Sequence, residues 1–417
     1  MIKKLKQKIY NSLRWSEKYT KTDMVYLAKG GFWLTLGQIF ASASAFLLAI
    51  AYANFLPQEV YGTYKYILSI AGILGAFTLA GLGPAIVQSV ARGFEGILKS
   101  AFWVNLKWSV FMILASFLGA LYYFINDNYT LGISLIIIAL FSPLTQSAAL
   151  YGAFLNGKKE FKITVSYGIF ITIINAILLA ITVIITNNPI LIILVYFTSN
   201  ALLTLFFYIR TIKKFKPNKK IDKKTISYGK HLSLINILGT IAGHLDKILI
   251  FHYLGAIQLA IYSFAIALPM QLTLIKKIIR TLVLPKLVGQ KIEYIQKNIP
   301  KKIIKFFIFL IPVVLVYIIA APYIYSYLFP QYIKSVYYSQ VFSLIILSFP
   351  TLFFNQVFTA HSKKKELYII NIVSSILQIL LFILLIPVYK IWGIIASILI
   401  TRFFIFGLSA ILFKKIN

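Results

Sequence analysis

The chain consists of long apolar runs separated by short polar or basic stretches. A helix needs about 20 apolar residues to cross the hydrocarbon of a bilayer. We find such runs with approximate cores at 28–54, 64–90, 101–124, 131–155, 163–186, 188–209, 228–254, 256–275, 303–321, 338–360, 367–388 and 391–413. The first is too long for a cleaved signal peptide, so we keep it as a span. The pattern predicts an all-α polytopic membrane protein with about twelve transmembrane helices.

Composition agrees with this fold class and excludes several functions. The chain is 60% hydrophobic and 12% charged, and its mean hydropathy is +0.85, which fits no soluble globular class. It has no cysteine, which excludes disulfides, thiol catalysis and cysteine-based metal sites. We expect no metal and no cofactor, and coupling to a proton or sodium gradient stays open.

Basic residues orient the bundle in the membrane. The net charge is +32, and all but six of the 42 lysines and arginines fall in the termini and in alternate loops. This distribution follows the positive-inside rule, so we expect no nucleic-acid partner. It predicts a multi-pass protein of the cell (inner or cytoplasmic) membrane with both termini cytoplasmic. Of the six others, Lys65, Lys334 and Lys390 fall on the opposite, outer face. Lys29, Lys247 and Arg402 lie within spans or near their ends.

A weak internal repeat divides the chain into halves. FLPQEVYGTYKYILSI (55–70) aligns with YLGAIQLAIYSFAIAL (253–268), each between the first and second span of a six-span half. Six is even, so the halves enter the membrane in the same direction, related by a pseudo-two-fold axis along its normal. The aligned pairs are Leu56 with Leu254, Gly62 with Ala260, and Tyr64 with Tyr262. The predicted units are a basic amphipathic cytoplasmic tail (1–25), an N-terminal half (26–209), a basic cytoplasmic linker (210–227) and a C-terminal half (228–417).

Two basic segments alternate apolar residues with lysines. Residues 1–15 and 288–302 suit helices that lie in the inner membrane surface, and a solvated tail or loop is the alternative.

The outer loops are short and hold few acids beyond Glu59 and Asp127, which argues against an enzyme. The tyrosines of the largest outer loop either stack on sugar rings or form an interfacial aromatic belt, and we favour the belt; they are Tyr323, Tyr325, Tyr327 and Tyr332.

Arg402 lies eleven residues from each end of the last span, near the bilayer centre. Burying an arginine there costs at least about 2.5–3.5 kcal/mol on insertion scales, so something must compensate. A guanidinium binds phosphate oxygens in bidentate geometry. We therefore predict that Arg402 binds an anionic substrate. The alternative is structural pairing with a carbonyl or with Asp246.

Asp246 and Lys247 lie side by side in the outer half of the seventh span. Neighbours on a helix point about 100° apart, so we expect them to neutralise each other poorly. Lys247 is a candidate substrate-binding residue, and Asp246 is either an ion-coupling carboxylate or a brace between helices. His244 is either part of a proton relay or a packed histidine that forms a hydrogen bond, and we favour the second.

The remaining substrate-binding candidates are Lys29, Gln38, Asn355 and Gln356. Lys29 lies at the start of the first span, where it either binds an anionic head group or extends to the membrane surface. The three amides belong to a larger set of polar residues within spans. Amides suit sugar hydroxyls, but bonds between helices explain most of them.

Several stretches resemble the polysaccharide or O-antigen flippase family. The family transports lipid-linked oligosaccharides and belongs to the superfamily of multidrug, oligosaccharidyl-lipid and polysaccharide exporters. The stretches are GGFWLTLGQIFASASAFLLAIAYANFLPQEVYGTY, GLGPAIVQSVARG, HLDKILIFHYLGAIQLAIYSFA, LVLPKLVGQKIEYIQK and APYIYSYLFPQYIKSVYYSQVFSLI. Unlike the family, the chain has no basic residue in IAYAN (50–54), has Pro57 instead of glycine in the first turn, and has Ala260 where glycine is usual.

The resemblance implies two six-helix bundles that move a polyprenyl-pyrophosphate-linked oligosaccharide to the outer leaflet by alternating access through a cationic cavity. It implies a role in lipopolysaccharide, O-antigen or capsule synthesis, with lipid-linked oligosaccharide and membrane lipids as partners. We expect a monomer, with a polysaccharide polymerase and glycosyltransferases as further candidate partners. Three alternatives remain: a cation-coupled multidrug antiporter, a lipid II flippase, and a scaffold for glycan-assembly enzymes, which would tolerate charge changes at Arg402.

Overall fold

The computed structural model describes residues 14, 24–272, 287, 292–361 and 363–415; for 24–29 and 223 it describes the backbone alone. Within this part, nine helices are long and apolar enough to cross a membrane, and a bent pair forms a tenth span. Two of the nine contain 48 and 51 residues. Each is interrupted by one residue with positive φ, Gly255 (85°) or Lys390 (56°). Counting each as two spans gives the twelve predicted helices.

The first six helices begin and end within a few residues of the predicted limits. They are α1 (Met24–Phe55), α2 (Gln58–Phe77, continuing after a 53° bend as Leu82–Ala91), α3 (Ile97–Ile125), α4 (Tyr129–Gly157), α5 (Phe161–Ile185) and α6 (Pro189–Phe215). Asparagine side chains cap two of them. Asn128 accepts a hydrogen bond from the Leu131 amide at the start of α4, and Asn188 caps α6 just before Pro189.

The last six helices follow the same arrangement. Helices α7 and α8 are the parts 223–254 and 256–271 of Lys223–Gln271, followed by α9 (Ile292–Leu328) and α10 (Ser335–Ala360); α11 and α12 are the parts 364–389 and 391–414 of Lys364–Lys414. The side chain of Asp222 caps α7 by accepting from the Lys224 amide. A 3₁₀ segment, Ser343–Ser348, interrupts α10. The fold is therefore all-α, as predicted.

The helices meet at two ends of the bundle. The end with the turns 92–96, 158–160, 216–222 and 361–363 is called the basic end, and the end with the turns at 56–57, 126–128, 186–188 and 329–334 is called the far end. At the basic end, the residues before α7 are bound to the turn before α3. Arg92 forms an ion pair with Asp222 at 2.8 Å, and the Gly96 amide donates to the Lys220 carbonyl.

Two predictions about segments have different outcomes. The amphipathic tail 1–25 lies almost wholly outside the described residues. For 288–302 the in-plane helix is wrong where the structure describes it, because residues 292–302 are the first turns of α9. Ile295 and Ile299 are buried in the core of α7–α12, which draws this segment into the bundle instead of onto its surface. The division of the chain into tail, halves and linker stays a prediction.

Candidate functional site

The buried apolar residues of the described chain form three clusters. The largest joins α1–α6 to α7–α12 at the far end and includes Tyr61 and Phe264. Toward the basic end the cores are separate. One consists of buried residues of α2–α6, and the other of buried residues between Leu287 and Phe413. The two sets of helices thus share a core at the far end but have separate cores toward the basic end, where α2 and α7 stay in contact. We call the region between the two separate cores the cleft.

Aromatic rings close the far end of the cleft. Tyr61 of α2 lies 4.8 Å from the ring of Phe264 and 6.1 Å from that of Tyr332, which stacks on Phe264 at 3.8 Å. Two amides add hydrogen bonds between the halves. Asn54 donates to the Leu328 carbonyl at 3.2 Å, and Gln58 donates to the Gln331 carbonyl.

Helix α2 forms a continuous seam with the start of α8 and with α7, from the far end to the basic end. A Cβ at Gly62 would collide with the Ala256 carbonyl, and one at Gly72 would collide with the His244 ring. Nearer the basic end, the Gly81 amide donates to the Ser233 hydroxyl at 2.9 Å. Small residues let the backbones approach closely, as in other membrane helix pairs.

Arg402 lies on the buried stripe of α12. Residues spaced three or four apart share one face of a helix. The stripe consists of Ile391, Ile395, Ile398, Arg402, Ile405 and Ser409, and all members except Arg402 are buried. Ile398 belongs to the shared far-end core, and Ile405 to the separate core at the basic end.

The Arg402 side chain is exposed, although the other residues of its stripe are buried against protein. An exposed side chain on a protein-facing stripe fits a position on the cleft wall better than one on the lipid surface. No described residue forms an ion pair or hydrogen bond with Arg402. The structural alternative, pairing with a carbonyl or with Asp246, is therefore not seen within the described residues.

Asp246 is buried and fully engaged. The Tyr262 hydroxyl of α8 donates to its Oδ2 at 2.7 Å, and Lys247 Nζ lies 3.3 Å from both carboxylate oxygens. The expectation that Asp246 and Lys247 neutralise each other poorly is wrong, because the long lysine side chain curls back to its neighbour. The Tyr262 bond fits the bracing interpretation of Asp246. The His244 ring packs on Gly72, and its buried Nδ1 has no partner among the described residues.

Lys65 is a site residue that the sequence reasoning missed. We counted it with the outer surface, but α2 begins at Gln58, so Lys65 lies two turns inside the span. Its Nζ lies 5.2 Å from the ring centroid of Tyr61 and 5.9 Å from that of Tyr64. The signal was present in EVYGTYKY (59–66), where Tyr61 precedes the lysine by four residues, about one helical turn.

No described contact joins the other predicted substrate-binding residues to Arg402. Gln38 is half-buried, and Lys29 lies where side chains are not described. The side-chain oxygens of Asn355 and Gln356 are buried in α10 without a hydrogen-bond partner in the described part of the chain. Their roles stay predictions.

Two other amides have structural bonds. The Asn105 side chain accepts from the Leu79 amide at the bend of α2, and Asn175 donates to Asn200 at 2.9 Å.

The four tyrosines that the sequence placed in the largest outer loop differ in exposure, which neither interpretation predicted. Tyr325 and Tyr332 are fully buried, whereas Tyr323 and Tyr327 are exposed.

Comparison with solved structures shows the fold. The chain is similar to an outward-facing multidrug resistance MATE family transporter of the MOP superfamily, with 12% identity, a TM-score of 0.66, and coverage of 93% of this chain and 95% of that one. It is equally similar to the lipid II flippase MurJ in an inward closed conformation, with 15% identity, a TM-score of 0.66, and coverage of 92% and 87%. Such low identities show the fold but neither the conformation nor the substrate.

Sequence comparison shows the family. No curated protein sequence matches the chain. The profile of the family described as polysaccharide biosynthesis protein matches residues 27–288, which is more than half of the chain. The chain therefore belongs to the polysaccharide biosynthesis protein family and has the all-helical fold of the MOP-superfamily transporters.

Proposed function

We propose that the protein is a flippase that moves a polyprenyl-pyrophosphate-linked oligosaccharide from the cytoplasmic to the outer leaflet. The observation that carries this proposal is Arg402, which is exposed on a protein-facing stripe and unpaired among the described residues. Membership of a polysaccharide biosynthesis family supports a glycan cargo. The likeness to a lipid II flippase supports a lipid-linked one.

The charges within the spans favour an anionic head group. A pyrophosphate cannot cross hydrocarbon without charged or hydrogen-bonding partners. Arg402 supplies a bidentate donor at mid-membrane depth. Lys65 supplies a second cation nearer the far end, held over tyrosine rings. The buried acid Asp246 is already compensated by Lys247 and Tyr262.

The arrangement of the cores suits the loading step of alternating access. The positive-inside rule assigns the basic end to the cytoplasm. The cleft then opens to the cytoplasm, where the substrate is made, and the Tyr61, Phe264 and Tyr332 rings close the route to the outer leaflet. Separation of these rings would release the head group outward while the lipid tail stays in the bilayer.

Replacing Arg402 tests the proposal. Loss of charged hydrogen bonds worth about 1.5–3 kcal/mol predicts a 10- to 100-fold fall in transport for Arg402→Gln, and a larger fall for Arg402→Glu. Arg402→Lys should retain part of the activity, because it keeps the charge but loses the fork. The measurement is labelled surface glycan in cells that depend on this protein, normalised to its level in the membrane.

Lys334→Gln is the matched control, because it removes the same charge from an exposed residue of the far-end loop. Normal glycan export by Arg402→Glu at a normal protein level would refute the role of Arg402. It would also favour a scaffold, which needs no cationic path.

A cation-coupled multidrug antiporter is the second candidate. The likeness to MATE transporters and the buried acid Asp246 favour it. Such a protein needs an acid that can release its partners and bind a cation, so Asp246→Asn should abolish dye transport in proteoliposomes. The flippase should instead move a fluorescent lipid-linked oligosaccharide and leave a cationic dye where it is. Dye transport that depends on Asp246 would decide for the antiporter.

We extend the proposal to the cellular setting. The protein acts as a monomer in the cytoplasmic membrane, upstream of a polysaccharide polymerase and downstream of glycosyltransferases, in O-antigen, lipopolysaccharide or capsule synthesis. A proton or sodium gradient drives the cycle. Flipping assays in vesicles with one imposed gradient at a time test the coupling.

A further inference from the structure

A groove at the basic end of the C-terminal helices is separate from the stripe that carries Arg402. It has a volume of about 410 Å³ and lies between α9, α10 and α12. Its wall includes Gln296, Pro300, Ile304, Phe354, Ala410 and Lys414. The groove reaches the surface of the helices at Ile304, whose side chain is 58% exposed. The groove is therefore accessible from the bilayer.

Counted from the start of the last helix in each half, the position of Ala410 matches that of an aromatic residue, Tyr208. Tyr208 stacks on Phe102 of α3 at 4.6 Å, and both rings are buried. In the C-terminal helices, Ala410 leaves the volume beside Ile304 open. The small side chain of Ala410 therefore contributes to the open volume of the groove.

Polarity changes in the same direction along both walls. On α9 the wall changes from Gln296 at the basic end to Ile304, about 12 Å deeper in the membrane. On α12 it changes from Lys414 at the basic end to Ala410. The exposed Lys414 belongs to the wall, and the exposed Lys297 directly follows the wall residue Gln296 on α9. The only acid on this part of α9 is Glu293.

We propose that this groove binds one acyl chain of an anionic glycerophospholipid, with its phosphate at Lys414 and Lys297. Lysines at the cytoplasmic ends of spans attract anionic head groups. The apolar depth of the groove accepts a chain that lies along the bilayer normal. Its positive mouth disfavours the alternative occupant, the tail 1–25, which is itself basic. The proposal is independent of the transported substrate.

Native mass spectrometry of the purified full chain tests the proposal with phosphatidylglycerol and phosphatidylcholine of identical acyl chains. Wild type should retain phosphatidylglycerol more tightly. Lys414→Gln should weaken that binding about fivefold, because one lysine near the head group is lost. Ala410→Tyr fills the groove with a ring, and it should remove the bound lipid.

Two matched controls isolate the groove. Lys365→Gln removes an exposed lysine of α11 at the same end, and Ile411→Phe enlarges the lipid-facing residue beside Ala410. Both should bind lipid like wild type. Equal retention of the two lipids with no effect of Lys414→Gln would overturn the proposal. So would lipid retention by a folded Ala410→Tyr protein, preferential retention of polyprenyl phosphate, or lipid binding that appears only when residues 1–25 are deleted.

Discussion

The Gly62→Ala substitution tests whether the far end is a closed contact that must open during transport. Gly62 faces the backbone of α8, and an added Cβ would collide with the Ala256 carbonyl. A backbone carbonyl cannot rotate away as a side chain can, so the helices must separate. Overpacking of this kind costs about 1–3 kcal/mol.

This overpacking energy destabilises only the state with a closed far end, because the collision disappears when that end opens. The population of the state with an open far end should therefore rise by about 5- to 150-fold relative to the closed state. In transport, the variant should release cargo readily and load it poorly. The direction of the shift follows from the position of Gly62 at the contact between the halves.

Spin-label distance measurements are well suited to this chain because it contains no cysteine. Labels at Glu59→Cys and Lys334→Cys lie on exposed residues of the two halves at the far end. Gly62→Ala should add or enlarge a population at longer distance. Gly83→Ala is the control, because a Cβ there meets no atom within 4 Å. A folded Gly62→Ala protein with the wild-type distance distribution would refute the reasoning.

Two stability predictions follow from hydrogen bonds within the spans. Tyr262→Phe should lower the free energy of unfolding by about 0.6–1.7 kcal/mol, because it removes the donor to Asp246, whereas Tyr327→Phe, on an exposed ring, should leave it unchanged. Asn105→Ala should cost about 1–3 kcal/mol by leaving the Leu79 amide unpaired at the bend of α2. Unfolding in mixed micelles measures both, and a wild-type value for either variant would contradict its assignment.

Much of the fold was predictable because crossing a bilayer imposes a length and a composition on each helix. The span limits agree within six residues except for α9, which begins eleven residues before the predicted core and ends seven after it. Even the joined pairs α7–α8 and α11–α12 were separable, since Gly255 and Lys390 interrupt apolar runs. The resemblance to flippases also led to the family that the profile match shows. The segment 292–302 was harder, because amphipathicity alone does not distinguish a surface helix from the first turns of a packed span.

The candidate site was less predictable because contacts depend on directions around each helix axis. The depth of Arg402 followed from its position in an apolar run, but its place on a buried stripe needed the helix neighbours. Lys65 was missed because α2 begins six residues before the predicted limit, which moves this lysine from the surface into the span. The Asp246 and Lys247 pair was misjudged because side-chain length outweighed backbone angle.

The sequence by itself determined that this protein lies in a membrane and where its spans are, because hydrophobic length acts locally on each segment. The lysine distribution predicts their orientation. Only the tertiary structure decided which ends of the halves share a core. It also decided that the Tyr262 hydroxyl donates to the carboxylate of Asp246. It likewise decided that Ala410 lines an open groove, whereas Tyr208 stacks on a neighbouring ring. These features depend on packing between segments far apart in the chain, and no local pattern encodes the geometry of such contacts.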